Sequence, residues 1–162
     1  MTNETGTARD LLRHTLATLA YRGGKTLRDP AADFAQFRAG ENTRTPLEIL
    51  AHIGDLMEWA LSIAKGKEQW KKADDSRTWD QEVARFFASL QSFDDYLASA
   101  EPLGCAPQQL FQAGIADALT HVGQLAMLRG LAGIPMRGEN YFLADIVTGK
   151  VGADQSAPRF EF

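Results

Sequence analysis

Four stretches of this chain repeat their apolar residues at the spacing of an α-helix, and two of the three connections between them are too long for tight hairpins. That combination predicts an all-α protein: a four-helix bundle with long crossover connections, in which neighbours in sequence need not be neighbours in space. A chain of 162 residues suits one domain. Apolar residues make up 44% of it, which is enough for a core without disulfide staples.

Residues 1 to 7 are polar and expected to fray. The first helix starts near Ala8 and carries Leu11, Leu12, Thr15, Leu16, Leu19 and Ala20 at helical spacing. Gly23-Gly24 weakens it and Asp29-Pro30 ends it. His14 falls more than about 100° from the centre of this stripe, so it is read as a solvated surface histidine. Residues 28 to 45 form a long connection with a short turn around Phe34 and Phe37. Thr45-Pro46-Leu47-Glu48 then opens the second helix, with Thr45 as N-cap, Pro46 as first helical residue and Glu48 closing a capping box. This helix runs to about Ala64 and turns Leu50, Ile53, Met57, Ala60, Leu61 and Ala64 inward. His52 lies at the flank of that stripe, near Glu48, Leu56 and Trp59.

Residues 65 to 77 set Lys65, Lys67, Lys71, Lys72 and Arg77 among Glu68, Asp74 and Asp75, which reads as a solvated face. About 12 extended residues reach roughly 40 Å, so the third helix need not run antiparallel to the second. That helix begins near Thr78, with Thr78 or Ser76 as its cap, and carries a wide aromatic stripe, Trp79, Val83, Phe86, Phe87, Leu90, Phe93, Tyr96 and Leu97, expected to be core. The fourth helix spans residues 107 to 132 and stops at Gly133 with Pro135 beyond. Its apolar stripe is Leu110, Phe111, Gly114, Ala118, Val122, Leu125 and Leu128. The tail from about 134 is irregular, yet Tyr141, Phe142, Ile146, Val147, Phe160 and Phe162 need burial, so it is expected to cover a bundle end or line a pocket.

The net charge of −4 argues against a nucleic-acid binder, which should be basic. No run reaches the roughly 18 apolar residues of a membrane helix, and Met1 to Gly6 lack the blocks of a secretory signal. Cys105 is the single cysteine, compatible with a reducing compartment, and it is read as a loop thiol of no special role. These features together predict the cytoplasm. No phosphate-cradling glycine loop, cysteine pair, nucleophile elbow or Glu-x-x-His pair is present.

What remains is polar chemistry on the fourth helix. Asp117 and His121 are four apart, so they stack on one side, inside the edge of the apolar stripe, and Gln124 continues their line. A carboxylate aimed at an apolar interior is costly unless something pairs with it. His52, from a facing helix, would complete a set of two imidazoles and one carboxylate, a set used by hydrolytic zinc and non-haem iron sites. Spacing alone leaves two readings open: a mononuclear metal site, or a buried Asp117–His121 or Asp117–His52 hydrogen bond with no metal.

The chain resembles the DinB-like superfamily of bacterial four-helix bundles. The resemblance rests on His52 in Leu50-Ala51-His52-Ile53-Gly54-Asp55 and on His121-Val122-Gly123-Gln124, with Asp117 standing where that family carries a further histidine. It covers most of the chain. It implies an up-down-down-up bundle, a homodimer, and a divalent ion (zinc, nickel, iron or manganese) on His52, Asp117 and His121. It also implies a metal-dependent enzyme acting on a small-molecule substrate with a low-molecular-weight thiol, a transferase or isomerase, with hydrolysis ranking below. Glu48, Thr120, Gln124 and Tyr141 are the further residues expected around the site. The Asp117 departure keeps a non-catalytic dimeric binding module as the alternative.

Overall fold

The structure is a computed structural model and describes residues 2–72 and 74–162. Met1, placed above in a frayed end, and Ala73, placed in the charged link, lie outside the described residues. Among the described residues the chain forms four long rods and no β-sheet. They are α1 (Thr2–Leu27), α2 (Pro46–Ala64), α3 (Trp79–Ala98) and a fourth rod. That rod is built from α4 (Pro107–Leu110), a π turn (Phe111–Ile115) and α5 (Ala116–Leu131).

Specific contacts fix the directions. Arg85 of α3 meets Ala51, Asp55 and Glu58, and Tyr96 further along α3 lies under Lys65 at the end of α2, so these helices run parallel. Gly23 near the end of α1 abuts Phe86 near the start of α3, while Arg9 near the start of α1 reaches Tyr96 and Leu97. Those two run antiparallel. Gly114 abuts Ala60 and His121 lies beside His52, so the fourth rod is antiparallel to α2. The order is up-down-down-up, and the long link lets α3 follow α2 in parallel, as its length allowed.

The caps are those read from the sequence. Thr45 Oγ1 accepts from Glu48 N and Glu48 Oε2 accepts from Thr45 N, and Thr78 and Gln81 make the same reciprocal pair at the start of α3. Leu16, Leu19, Leu50, Ile53, Met57, Phe86, Leu90, Phe93, Leu97 and Leu125 are all buried in one continuous core. Each contributes about 1.5–3 kcal/mol by leaving water. Phe34 plugs one end of the bundle from the first crossover, edge-on to Trp79.

Three expectations are corrected. Helix α1 begins at Thr2 rather than near Ala8 and runs unbroken through Gly23-Gly24 to Leu27. The Arg9 guanidinium ties its start down by donating to the carbonyls of Leu97, Ser99 and Glu101, which offsets the weak local propensity there. Gly23 is kept in the helix by packing, since a Cβ there would lie 2.6 Å from the Phe86 ring. Asp29, with φ of 44°, then turns the chain out.

Second, Phe111 is exposed and Ile115 is buried, the reverse of the expected stripe. The π turn adds a residue to that turn, so the inward phase that suits Ala118 and Val122 is shifted by one position before it. Leu11, likewise counted in the α1 stripe, is exposed.

Third, the tail is ordered without burying most of its apolar side chains. Phe142 is 92% exposed and Phe162 81%, and Val147 is exposed as well. Polar contacts hold it instead. Glu139 accepts from the Tyr21 hydroxyl (2.5 Å) and from Lys25 Nζ (2.9 Å), and Lys25 also pairs with Glu161. Backbone bonds join Asn140 to Phe160 and Phe162 to Gly138. Further along, Gly149 lies against Arg13, and Gln155 against Gly24, so the tail runs along α1.

A candidate metal centre between two helices

α2 and α5 can approach closely because Gly114 has no side chain: a Cβ there would lie 2.7 Å from Ala60 Cβ and 3.2 Å from the Leu56 carbonyl. One turn beyond that contact, α2 presents His52 and α5 presents Asp117 and His121. The three offer ligand atoms that all lie within 4.8 Å of one another. They form the one such His/Cys/Asp/Glu group among the described residues. His121 Nε2 is 3.5 Å from Asp117 Oδ1, and His52 Nε2 is 4.0 Å from Asp117 Oδ2. The imidazoles meet edge to face with centroids 4.8 Å apart.

These distances bear on the two readings left open by spacing. Hydrogen bonds from ring nitrogens to carboxylates fall near 2.7–3.2 Å, so neither histidine makes one to Asp117. A tetrahedral ion with bonds of about 2.0–2.1 Å would hold its donors roughly 3.3 Å apart. The His121–Asp117 spacing matches that, and a small inward move of His52 would bring it into the same range.

The protonation pattern suits ligation. His121 Nδ1 lies 2.8 Å from Gln124 Oε1, so a ring N–H donated to that carbonyl would leave Nε2, the nitrogen that faces Asp117, to ligate. Burial pushes the His52 pKa below its ordinary value, and the nearby His121 and Arg44 push it the same way, outweighing Asp117 and Asp55. The lowered pKa favours the neutral imidazole, the form that can ligate.

The group is open on one side. Asp117 has 46% of its side chain exposed, against 23% for His52 and 12% for His121. His52 also lines a cleft of 590 Å³, together with Arg44, Glu48, Ala51 and Trp70.

The remaining expected residues are placed as follows. Gln124 is bonded to His121, and Glu48 borders the cleft while fully engaged as the α2 cap and near Arg38. Thr120 is exposed and its hydroxyl donates to Ala116 O on its own helix. Tyr141 packs edge-on to Tyr21 and under Arg22, which puts it with α1 and the tail rather than with the histidines. His14 is exposed and bonds Thr148, as expected of a surface histidine. Cys105 is half-buried and unpaired, with burial pushing its thiol up, away from reactivity.

Trp70 and Arg44 were missed by sequence reasoning. The Trp70 ring sits 5.8 Å from His52 and 5.7 Å from Trp59. Its signal was there to see: one large aromatic in an otherwise charged link, Glu68-Gln69-Trp70-Lys71-Lys72. Gln69 N donates to Ser62 Oγ, folding the link back over α2 so that Trp70 reaches His52. Compared with known family models, curated proteins and solved structures, the chain matches none of them. Among the described residues no helix is long and apolar enough to cross a membrane.

Proposed function

We propose that this chain is a metal-dependent enzyme of the DinB-like kind, binding one divalent ion on His52, Asp117 and His121. The observation that carries the reading is the group itself: two imidazoles and a carboxylate from two helices, gathered without direct hydrogen bonds among them and with the carboxylate facing solvent. The donor set suits zinc, nickel, iron or manganese.

Asp117 supplies a charge that neutralises part of the cation, and Gln124 holds His121 in the ligating tautomer. A bound divalent ion lowers the pKa of a coordinated thiol or water, making the nucleophile available at neutral pH. The proposed activity is transfer or isomerisation with a low-molecular-weight thiol on a small-molecule substrate, in the cytoplasm. A purely structural site would be walled off; exposure of Asp117 and the cleft beside His52 favour a working one. The same proposal takes the protein as a homodimer, for which the outward Met127 and Leu131 of α5 offer apolar surface.

The test is elemental analysis of protein purified without an affinity tag. Wild type should hold close to one ion per chain after reconstitution, and His121→Ala should hold none. A folded His121→Ala protein with its metal intact would sink the assignment.

A further inference from the structure

We infer that the cleft beside His52 takes a small oxyanion, a carboxylate or a phosphate ester, whose charged end is held by Arg44 and whose body lies on the face of Trp70. The inference rests on the metal-centre reading above, because His52 is the residue common to the metal group and the cleft.

Size comes first. A volume of 590 Å³ falls in the range of small-molecule sites and is too small for a macromolecular groove. Charge comes next. Of the cleft's cations, Arg77 is engaged by Glu82 and Lys72 by Asp75. The cleft's carboxylates are also occupied: Asp55 and Glu82 by Arg85, Glu48 by the Thr45 amide, Asp74 by the Ser76 amide. Arg44 lines the same cleft and makes no hydrogen bond or ion pair among the described residues. An unengaged guanidinium presents a planar fork that fits carboxylate and phosphate oxygens two at a time.

Shape comes last. Trp70 is drawn out of the charged link onto His52 and Trp59, with 47% of its surface left exposed. A flat aromatic wall next to a ligating imidazole would position the body of a ligand whose other end approaches the ion.

The test uses isothermal titration calorimetry on the full chain, zinc-loaded and metal-free. The probes are 3-phenylpropionate, phenyl phosphate and the uncharged 3-phenylpropan-1-ol. Both anions should bind at least about tenfold more tightly than the alcohol, and the stronger of the two names the head group. Arg44→Gln should erase that preference and leave alcohol binding alone; Arg44 is exposed, so the variant should fold. Trp70→Leu should weaken all three probes. Equal binding of anions and alcohol, or a preference that survives Arg44→Gln, overturns the inference. A protein that takes up zinc but shows no anion preference refutes this cleft and leaves the metal centre standing. A protein that takes up none of zinc, nickel, iron and manganese but keeps an Arg44-dependent preference supports the cleft and refutes the metal centre.

Discussion

Helix α2 carries two polar clusters, one turned toward α3 and one toward α5, and they are built to different rules. Toward α3 it presents Asp55 and Glu58, which together with Glu82 surround the Arg85 guanidinium at 2.6, 2.8 and 3.2 Å. Burial alone would push the Arg85 pKa down, but the carboxylates outweigh it and hold the charge firmly in place. Every contact is at bonding distance, and Asp55 and Glu82 are almost fully out of water. Toward α5 the same helix presents His52, whose cluster stands at 3.5 and 4.0 Å with a half-exposed carboxylate. The first cluster is finished, a fastener between two helices. The second leaves its three ligand atoms unsatisfied by one another, the arrangement that the proposed cation would complete. Polar side chains at a helix seam thus declare their role by whether they satisfy one another.

The largest effect should come from breaking the finished cluster. Arg85→Met leaves two buried carboxylates without their main cation, a loss of about 3–5 kcal/mol in denaturant unfolding. Zinc uptake by the folded fraction should be unchanged. A loss under 1 kcal/mol would mean that the α2–α3 cluster is no more essential than a surface pair. The α2–α5 cluster should answer to metal instead. At a free zinc concentration about 100 times its Kd, wild type gains about 2.7 kcal/mol, removable by chelator. His121→Ala should lose that gain and differ little from metal-free wild type in melting temperature. A melting temperature indifferent to zinc would erase the contrast.

Sequence period carried the bundle but not the details that set the site. The caps at Thr45 and Thr78, the break after α1 at Asp29-Pro30, the buried stripe of α2 and the stacking of Asp117 with His121 follow from local rules of spacing and capping, whereas the joining of His52 to that pair was implied by the family resemblance. The π turn does not, because a one-residue shift of phase arises from packing between helices and leaves no pattern; hence Phe111 and Ile115 were exchanged. Nor did apolar content place the tail, whose hold is ionic, through Glu139 and Glu161 on Lys25. Trp70 went unseen because a charged link reads as solvated whatever its one aromatic touches. Tyr141 was expected at the site from its position in the tail, and the tail follows α1.

Gly114→Ala sharpens the comparison by altering the seam without touching a ligand. The added methyl would meet Ala60 at 2.7 Å, so α2 and α5 must separate. Overpacking of this kind costs about 1–3 kcal/mol, offset by about 1 kcal/mol of better helix propensity. Zinc affinity should fall by about 10–100-fold, as when a support for a ligand is lost. Unchanged affinity would show that helix spacing does not tune the group.

The smallest effect is expected at a third cluster, where the tail meets α1. Lys25 would be pushed down by burial, yet Glu161 and Glu139 outweigh this and raise its pKa. In return Lys25 draws Glu161 below its ordinary value of 4.5. A lowered carboxyl pKa means that the folded state binds fewer protons than the unfolded one. The contribution of Glu161 is therefore present above its ordinary pKa and fades as pH falls through the lowered folded value. Amide exchange at Asn140 and Phe162, whose N–H groups donate to Phe160 and Gly138, should report that loosening first. Glu161→Gln should show the faster exchange already at neutral pH, with zinc binding unaltered, because the tail clamp and the metal group share no residue. If Glu161→Gln changed zinc affinity instead, the clamp and the open group would be one coupled system, and the division between finished and unfinished clusters would fail.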